Sequence, residues 1–103
     1  MSPRFTPQAR EQLLTALAYA ASNDLSAAVE LAARIERILQ RLVQFPYSGR
    51  KIPEFPHEST REVVIRPYRF FYKIEPDGVW ISAVWHSAQQ IEPPTSGRSR
   101  RER

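Results

Sequence analysis

Four residues that break regular structure, Pro46, Gly49, Pro53 and Pro56, fall between Phe45 and Ser59 and split the chain into two unlike halves. Proline fits neither a helix interior nor a central strand, so this stretch is a long loop pinned by prolines. Loops of this length are often functional. Before it the apolar residues recur with a helical period. After it the composition turns to β-formers.

In the first half, Thr6-Pro7 reads as a helix start: a hydroxyl to cap free amides, then proline where its missing N–H costs nothing. A short strand is expected just before it, around Arg4 to Thr6. Leu13, Leu17, Ala20 and Ala21 give a first amphipathic helix from residue 7 to about 22, ending at Ser22-Asn23-Asp24. Asp24 or Ser26 can cap a second helix, whose stripe is Ala28, Ala32, Ile35, Leu39 and Leu42, flanked by Leu31 and Ile38. The short connection makes the pair an antiparallel helical hairpin.

In the second half, strands are expected over Arg61–Ile65, Tyr68–Ile74 and Val79–Trp85, with Pro76-Asp77-Gly78 as the last tight turn and Pro67 at another. The order is β-α-α-β-β-β, an α+β fold with the hairpin packed on a mostly antiparallel sheet. Simple alternation puts Tyr68, Phe70, Tyr72 and Ile74 on the helix-facing side, continued by Val79, Ile81, Ala83 and Trp85. The other face then interleaves Arg69, Phe71 and Lys73 with Trp80, Ser82, Val84 and His86, a basic and aromatic surface suited to a protein or nucleic-acid partner. Trp80 and Trp85 fall on opposite parities, so at least one of them is expected in the core.

With 103 residues, 42% apolar, the chain has room for one domain. The expectation is a single domain over residues 1–90 and a basic, flexible tail over 91–103. Four arginines and one glutamate between Arg98 and Arg103 carry +3 of the formal +4, leaving the body nearly neutral. No apolar run approaches the roughly 18 residues that cross a bilayer, and the first residues lack the zones of a signal peptide. A cytoplasmic protein with no membrane role is expected. The absence of cysteine, with only two histidines, removes disulfides and thiol chemistry and argues against a metal or other cofactor.

Several segments, taken in order, resemble one family: Phe5-Thr6-Pro7-Gln8-Ala9, Phe45-Pro46-Tyr47-Ser48-Gly49-Arg50 with Pro53-Glu54, Arg61-Glu62, Tyr68 through Ile74, and Trp80-Ile81 through Val84-Trp85-His86. In spacing over residues 5 to 86 they are similar to the RelE/ParE toxins of type II toxin–antitoxin systems, on the ParE side. The resemblance implies a growth-arresting toxin silenced by a cognate antitoxin protein. Two mechanisms occur in that superfamily: RelE-like members cut messenger RNA on the ribosome, and ParE-like members poison DNA gyrase without chemistry of their own.

RNA cleavage through the 2′-hydroxyl needs cations around the phosphate and a group to move protons. The two lysine positions of RelE-like toxins fall here on Glu62 and Val64, and the final arginine position falls near Ser87; only Arg69 fits. An alternative nuclease set would combine Glu54 or Glu62 with Arg69 and His86. ParE-like sequences often carry arginines after the strand-end histidine, where this chain has Ser87-Ala88-Gln89-Gln90, so a toxin that keeps antitoxin binding but has lost toxicity is a third reading. No firm catalytic residue is assigned. The expected partner-binding face comprises Arg50, Arg61, Arg69, Phe71, Lys73, Trp80 and His86. The resemblance further implies an antitoxin segment that folds on binding, a helix along the hairpin groove followed by an added strand or extended stretch.

Overall fold

The computed structural model describes residues 2–53 and 59–87. The first helix, α1 (Pro7–Asn23), follows a two-residue strand, β1 (Arg4–Phe5). Thr6 caps it, its hydroxyl accepting from the Ala9 N–H at 3.1 Å, with Pro7 in the first turn. The second helix, α2 (Leu25–Gln44), starts after one intervening residue. That residue, Asp24, is its cap, accepting from the Ala27 N–H at 3.2 Å, so Ser26 is not needed. The buried stripe of α2 is Ala28, Leu31, Ile35, Leu39 and Leu42; Ala32, expected in it, is exposed.

The proline-rich segment contains more order than its composition suggests. A 3₁₀ turn (Pro46–Ser48) leads into an edge strand, β2 (Arg50–Lys51), followed by β3 (Arg61–Ile65), β4 (Tyr68–Glu75) and β5 (Gly78–His86). The sheet order is β1-β5-β4-β3-β2, with β1 parallel to β5 and every other pair antiparallel. The α+β order β-α-α-β-β-β therefore holds, with β2 added at the edge. Gly78 closes the β4–β5 turn at φ 127°, a conformation glycine reaches without strain.

Hairpin and sheet share one core, in which Phe70, Tyr72 and Ile81 from the sheet and Leu42 from α2 are almost wholly buried. Strand alternation fails at one place. The β4–β5 register runs Tyr72↔Ile81 and then Phe71↔Ala83, so Ser82 is an extra residue in β5. Such a bulge reverses every later side chain relative to a simple count. Val84 consequently joins the core, whereas Ala83 and Trp85, expected on the helix side, lie on the opposite face. Trp80 and Trp85 share that outer face, both half-buried, and neither belongs to the hydrophobic core.

Candidate functional site

The outer face of the sheet is built from three cross-strand rows. Register aligns Val64, Arg69 and Trp85 in one row, Glu62, Phe71 and Ala83 in the next, and Lys73, Trp80 and Arg4 in the third. β2 adds Arg50 opposite Glu62. Glu62 is the centre. Its side chain is 0% exposed, followed in the strand by two valines and an isoleucine, and a buried carboxylate persists only when its charge is matched.

The matching is symmetrical. Arg50 Nε and Nη2 both lie 2.5 Å from Oε2, while Arg69 Nε and Nη2 lie 2.8 and 2.5 Å from Oε1. Each carboxylate oxygen is held by one guanidinium, and the trio keeps a single net positive charge. The Arg69 side chain is 13% exposed and that of Arg50 60%, so Arg50 is the member of the trio that faces water. Arg69 also lies 5.4 Å from the Phe71 ring centroid, and Phe71 meets Trp85 edge-to-face at 5.5 Å. Further along, Arg4 sits 5.7 Å over the Trp80 ring, the indole N–H donates to Asp77 at 2.9 Å, and Lys73 is exposed.

Of the seven residues expected on one face, Arg50, Arg69, Phe71, Lys73 and Trp80 are brought together, and Arg61 and His86 are not. Arg61 pairs in register with Tyr72, on the helix side. Its guanidinium donates to the Gly49 carbonyl at 2.8 Å and lies 5.1 Å from the Tyr47 ring, which makes it a loop brace. His86 sits opposite Tyr68, also on the helix side, with the two rings edge-to-face at 5.4 Å. It lies in a groove with Glu11, Gln12 and Tyr19 of α1, so the bulge at Ser82 separates His86 from Arg69 by the thickness of the sheet. Glu54 and His57 lie outside the described residues. Among the described residues no cluster of three histidine, cysteine or acidic side chains could hold a metal ion.

Two residues that positional reading passed over fix the site's geometry. The Tyr72 hydroxyl accepts from the Gly49 N–H at 3.0 Å and donates to the Pro46 carbonyl at 2.6 Å, tying the loop to the sheet. Burial raises its pKa above the usual tyrosine value, against the opposing pull of the Gly49 amide and the Arg61 charge. Gly49 must lack a side chain: a Cβ there would lie 2.3 Å from the Tyr72 oxygen. Their signal in the sequence is the pairing of a loop glycine with a tyrosine on the core-facing parity of β4.

A second surface lies on the hairpin. Phe5, Leu13, Leu17, Ile35 and Leu39 line a groove of about 280 Å³ between β1, α1 and α2. The large apolar side chains of Leu14, Leu25 and Val29 are exposed on the same hairpin.

A helical hairpin on one face of a five-stranded sheet, with an apolar groove along the hairpin, is the architecture of the chain. The family model of the ParE toxin of type II toxin–antitoxin systems, parDE, matches residues 4–91, and the chain belongs to that family. Among solved structures it is similar to a chain of the chromosomal ParDE system from P. aeruginosa, with a TM-score of 0.67 at 15% identity, over 84% of this chain and 95% of that one. At that identity the likeness establishes the fold. No curated protein sequence matches the chain.

Proposed function

We propose that this ParE-family toxin arrests growth by binding and poisoning DNA gyrase in the cytoplasm, and that a cognate antitoxin neutralises it by covering the hairpin groove. The observation that carries the reading is the trapping of Arg69. The one residue that matches the RelE-like catalytic set spends its Nε and Nη2 on a buried carboxylate, and His86 lies across the sheet from it. A phosphate approaching Arg69 would have to displace Glu62, and that carboxylate, the acid beside it, is already held by both guanidiniums. What the outer face offers instead is a platform for a protein: Arg50 and Lys73 at the rim, with the half-buried Trp85 and Trp80 between them, while Phe71, expected on that surface, is buried.

For the antitoxin, the apolar hairpin groove suits an amphipathic helix, and the near-neutral body makes apolar burial the main source of affinity. The basic tail over 91–103 adds electrostatic steering.

The test is pulse-labelling of DNA, RNA and protein synthesis in bacteria during the first minutes after this chain is induced alone. DNA synthesis falling first, with translation continuing, is the expected result. An immediate collapse of protein synthesis, abolished by Arg69→Ala or His86→Ala, would replace the gyrase reading with the nuclease one. Normal growth, with a stable antitoxin complex, would mean that binding survives and toxicity has been lost.

A further inference from the structure

Phe45 and Tyr47, on either side of Pro46, are large aromatic residues that the fold leaves 56% and 70% exposed. Their backbone is held at three points. The Phe45 N–H donates to the Arg41 carbonyl at 3.0 Å, the Ser48 N–H to the Phe45 carbonyl at 2.9 Å, and the Tyr72 hydroxyl to the Pro46 carbonyl at 2.6 Å. Isolated apolar residues on a surface need no explanation, but two aromatic rings left in water by one braced turn do.

Cations surround that turn. Arg41, exposed on the last turn of α2, precedes Phe45 by four residues, the spacing of neighbours on a helix. The Arg61 guanidinium lies 5.1 Å from the Tyr47 ring centroid and leaves most of the ring open. β2 then sets Lys51, also exposed, directly across from Arg61. Like charges opposite one another on neighbouring strands repel. Among the described residues no carboxylate pairs with Arg41, Lys51 or Arg61, and the adjacent Glu62 is held on the other face by Arg50 and Arg69. The bond from Arg61 to the Gly49 carbonyl orients the guanidinium without cancelling its charge.

A partner for this surface must supply negative charge and flat apolar faces together. An acidic peptide answers the three cations and leaves the rings idle. Duplex DNA offers phosphates but keeps its bases stacked on one another. A single strand offers both, phosphates to the cations and unstacked bases to the rings.

We infer that the turn Pro46–Ser48 and its flanks form a docking site for single-stranded DNA, in which bases stack on Tyr47 and Phe45 and the phosphates meet Arg41, Lys51 and Arg61. The choice of DNA over RNA rests on the gyrase reading, because the nucleic acid at that target is DNA; the stacking surface itself does not rest on it. The site shares no residue with the outer-face platform or the hairpin groove.

The test is binding of the full chain to a fluorescein-labelled oligo(dT) of about 12 nucleotides, read by anisotropy, with backbone amide shifts followed by NMR in a parallel titration. The amides of Phe45, Tyr47 and Lys51 should move. Tyr47→Ala should weaken binding by about tenfold, whereas Tyr47→Phe, which keeps the ring, should bind as the parent does. Lys51→Ala should reduce the slope of log affinity against log salt by about 0.7, one phosphate contact on a single strand. Shifts confined to residues beyond 90, with Tyr47→Ala binding unchanged, would place the strand on the basic tail and overturn the proposal. Equal binding of polyglutamate would overturn it in favour of an acidic protein, and a preference for oligo(U) of the same length would overturn the assignment to DNA. No gyrase enters this experiment. Absence of oligo(dT) binding while DNA synthesis still falls first in cells sinks the docking site and leaves the gyrase reading standing. The shift mapping needs no substitution and decides the matter even if the alanine variant fails to fold.

Discussion

The same three long strands are closed on one face by hydrocarbon and on the other by a shared charge. On the helix side, Phe70, Tyr72, Ile81 and Val84 pack against Leu31, Ile35, Leu39 and Leu42, and shape complementarity alone must specify the arrangement. On the outer side no helix among the described residues covers the sheet. There Glu62, with an arginine on each oxygen, ties β2, β3 and β4 together, and Phe71 and Trp85 shelter the pair at Arg69. The difference teaches where each face can change. Apolar packing tolerates substitution that conserves volume, whereas a buried carboxylate tolerates only a change that leaves both guanidiniums matched.

The largest effect is expected on the apolar side. Phe70→Ala empties a fully buried site at the centre of the sheet and should cost about 4 kcal/mol, measured by urea unfolding of the purified chain. A loss of under about 2 kcal/mol would mean that the hairpin collapses onto the sheet to fill the space.

Glu62→Ala probes the other side. Removing one partner of a buried pair leaves a nearly buried Arg69 unmatched, and the expected loss is about 3 kcal/mol, tempered because Arg50 turns to water. Glu62→Gln should fall between this variant and the wild type. A Glu62→Ala protein of unchanged stability, with Arg69 mobile by NMR, would show that the cluster orders the face without stabilising it.

Much of this was legible in advance, and the failures have one kind of cause. Thr6-Pro7, the α2 stripe and the three long strands are local signals, and they fall within a residue or so of where they were read. Ala83, Val84, Trp85 and His86 were assigned to the wrong face because one inserted residue, Ser82, resets the alternation, and nothing local in Ile-Ser-Ala-Val announces a bulge. Arg61 was misplaced for a different reason: whether a strand-opening arginine braces a loop depends on where Gly49 comes to rest, 12 positions away. Glu62 was read as a glutamate standing at a lysine position of RelE-like toxins and as one possible member of an alternative nuclease set. Its larger role, holding Arg50 and Arg69, is a tertiary fact joining three strands.

A smaller effect tests the loop that both faces share. Tyr72→Phe removes a hydroxyl that both accepts from Gly49 and donates to Pro46, for an expected loss of about 1–2 kcal/mol. Its pH dependence has a definite sign. Because burial raises the tyrosine's pKa in the folded state, its contribution is fully present below the unfolded value near 10 and is lost as pH rises from there through the folded value. Wild type and Tyr72→Phe should therefore converge in stability above pH 10, as followed by denaturant midpoints. Parallel curves would mean that the hydroxyl is not buried against the loop in solution.

The smallest effect should come from the change that looks most drastic on paper. Deleting one residue inside a strand ordinarily turns every later side chain to the opposite face and unfolds the protein. Deleting Ser82 should not, because Ile81 already pairs with Tyr72 and Ala83 with Phe71, so the shortened strand would continue the ladder without a break. Val84 would remain in the core and Trp85 beside Phe71. The losses are the Ser82 hydroxyl bond to the Phe71 carbonyl and the long contact from Thr6, about 1 kcal/mol together. The expected outcome is a cooperatively folded chain whose tryptophan fluorescence and near-ultraviolet circular dichroism match those of the parent. A molten product would show that the bulge is required to bend β5 toward β1, and that the two faces are set by curvature as well as by the order of the side chains.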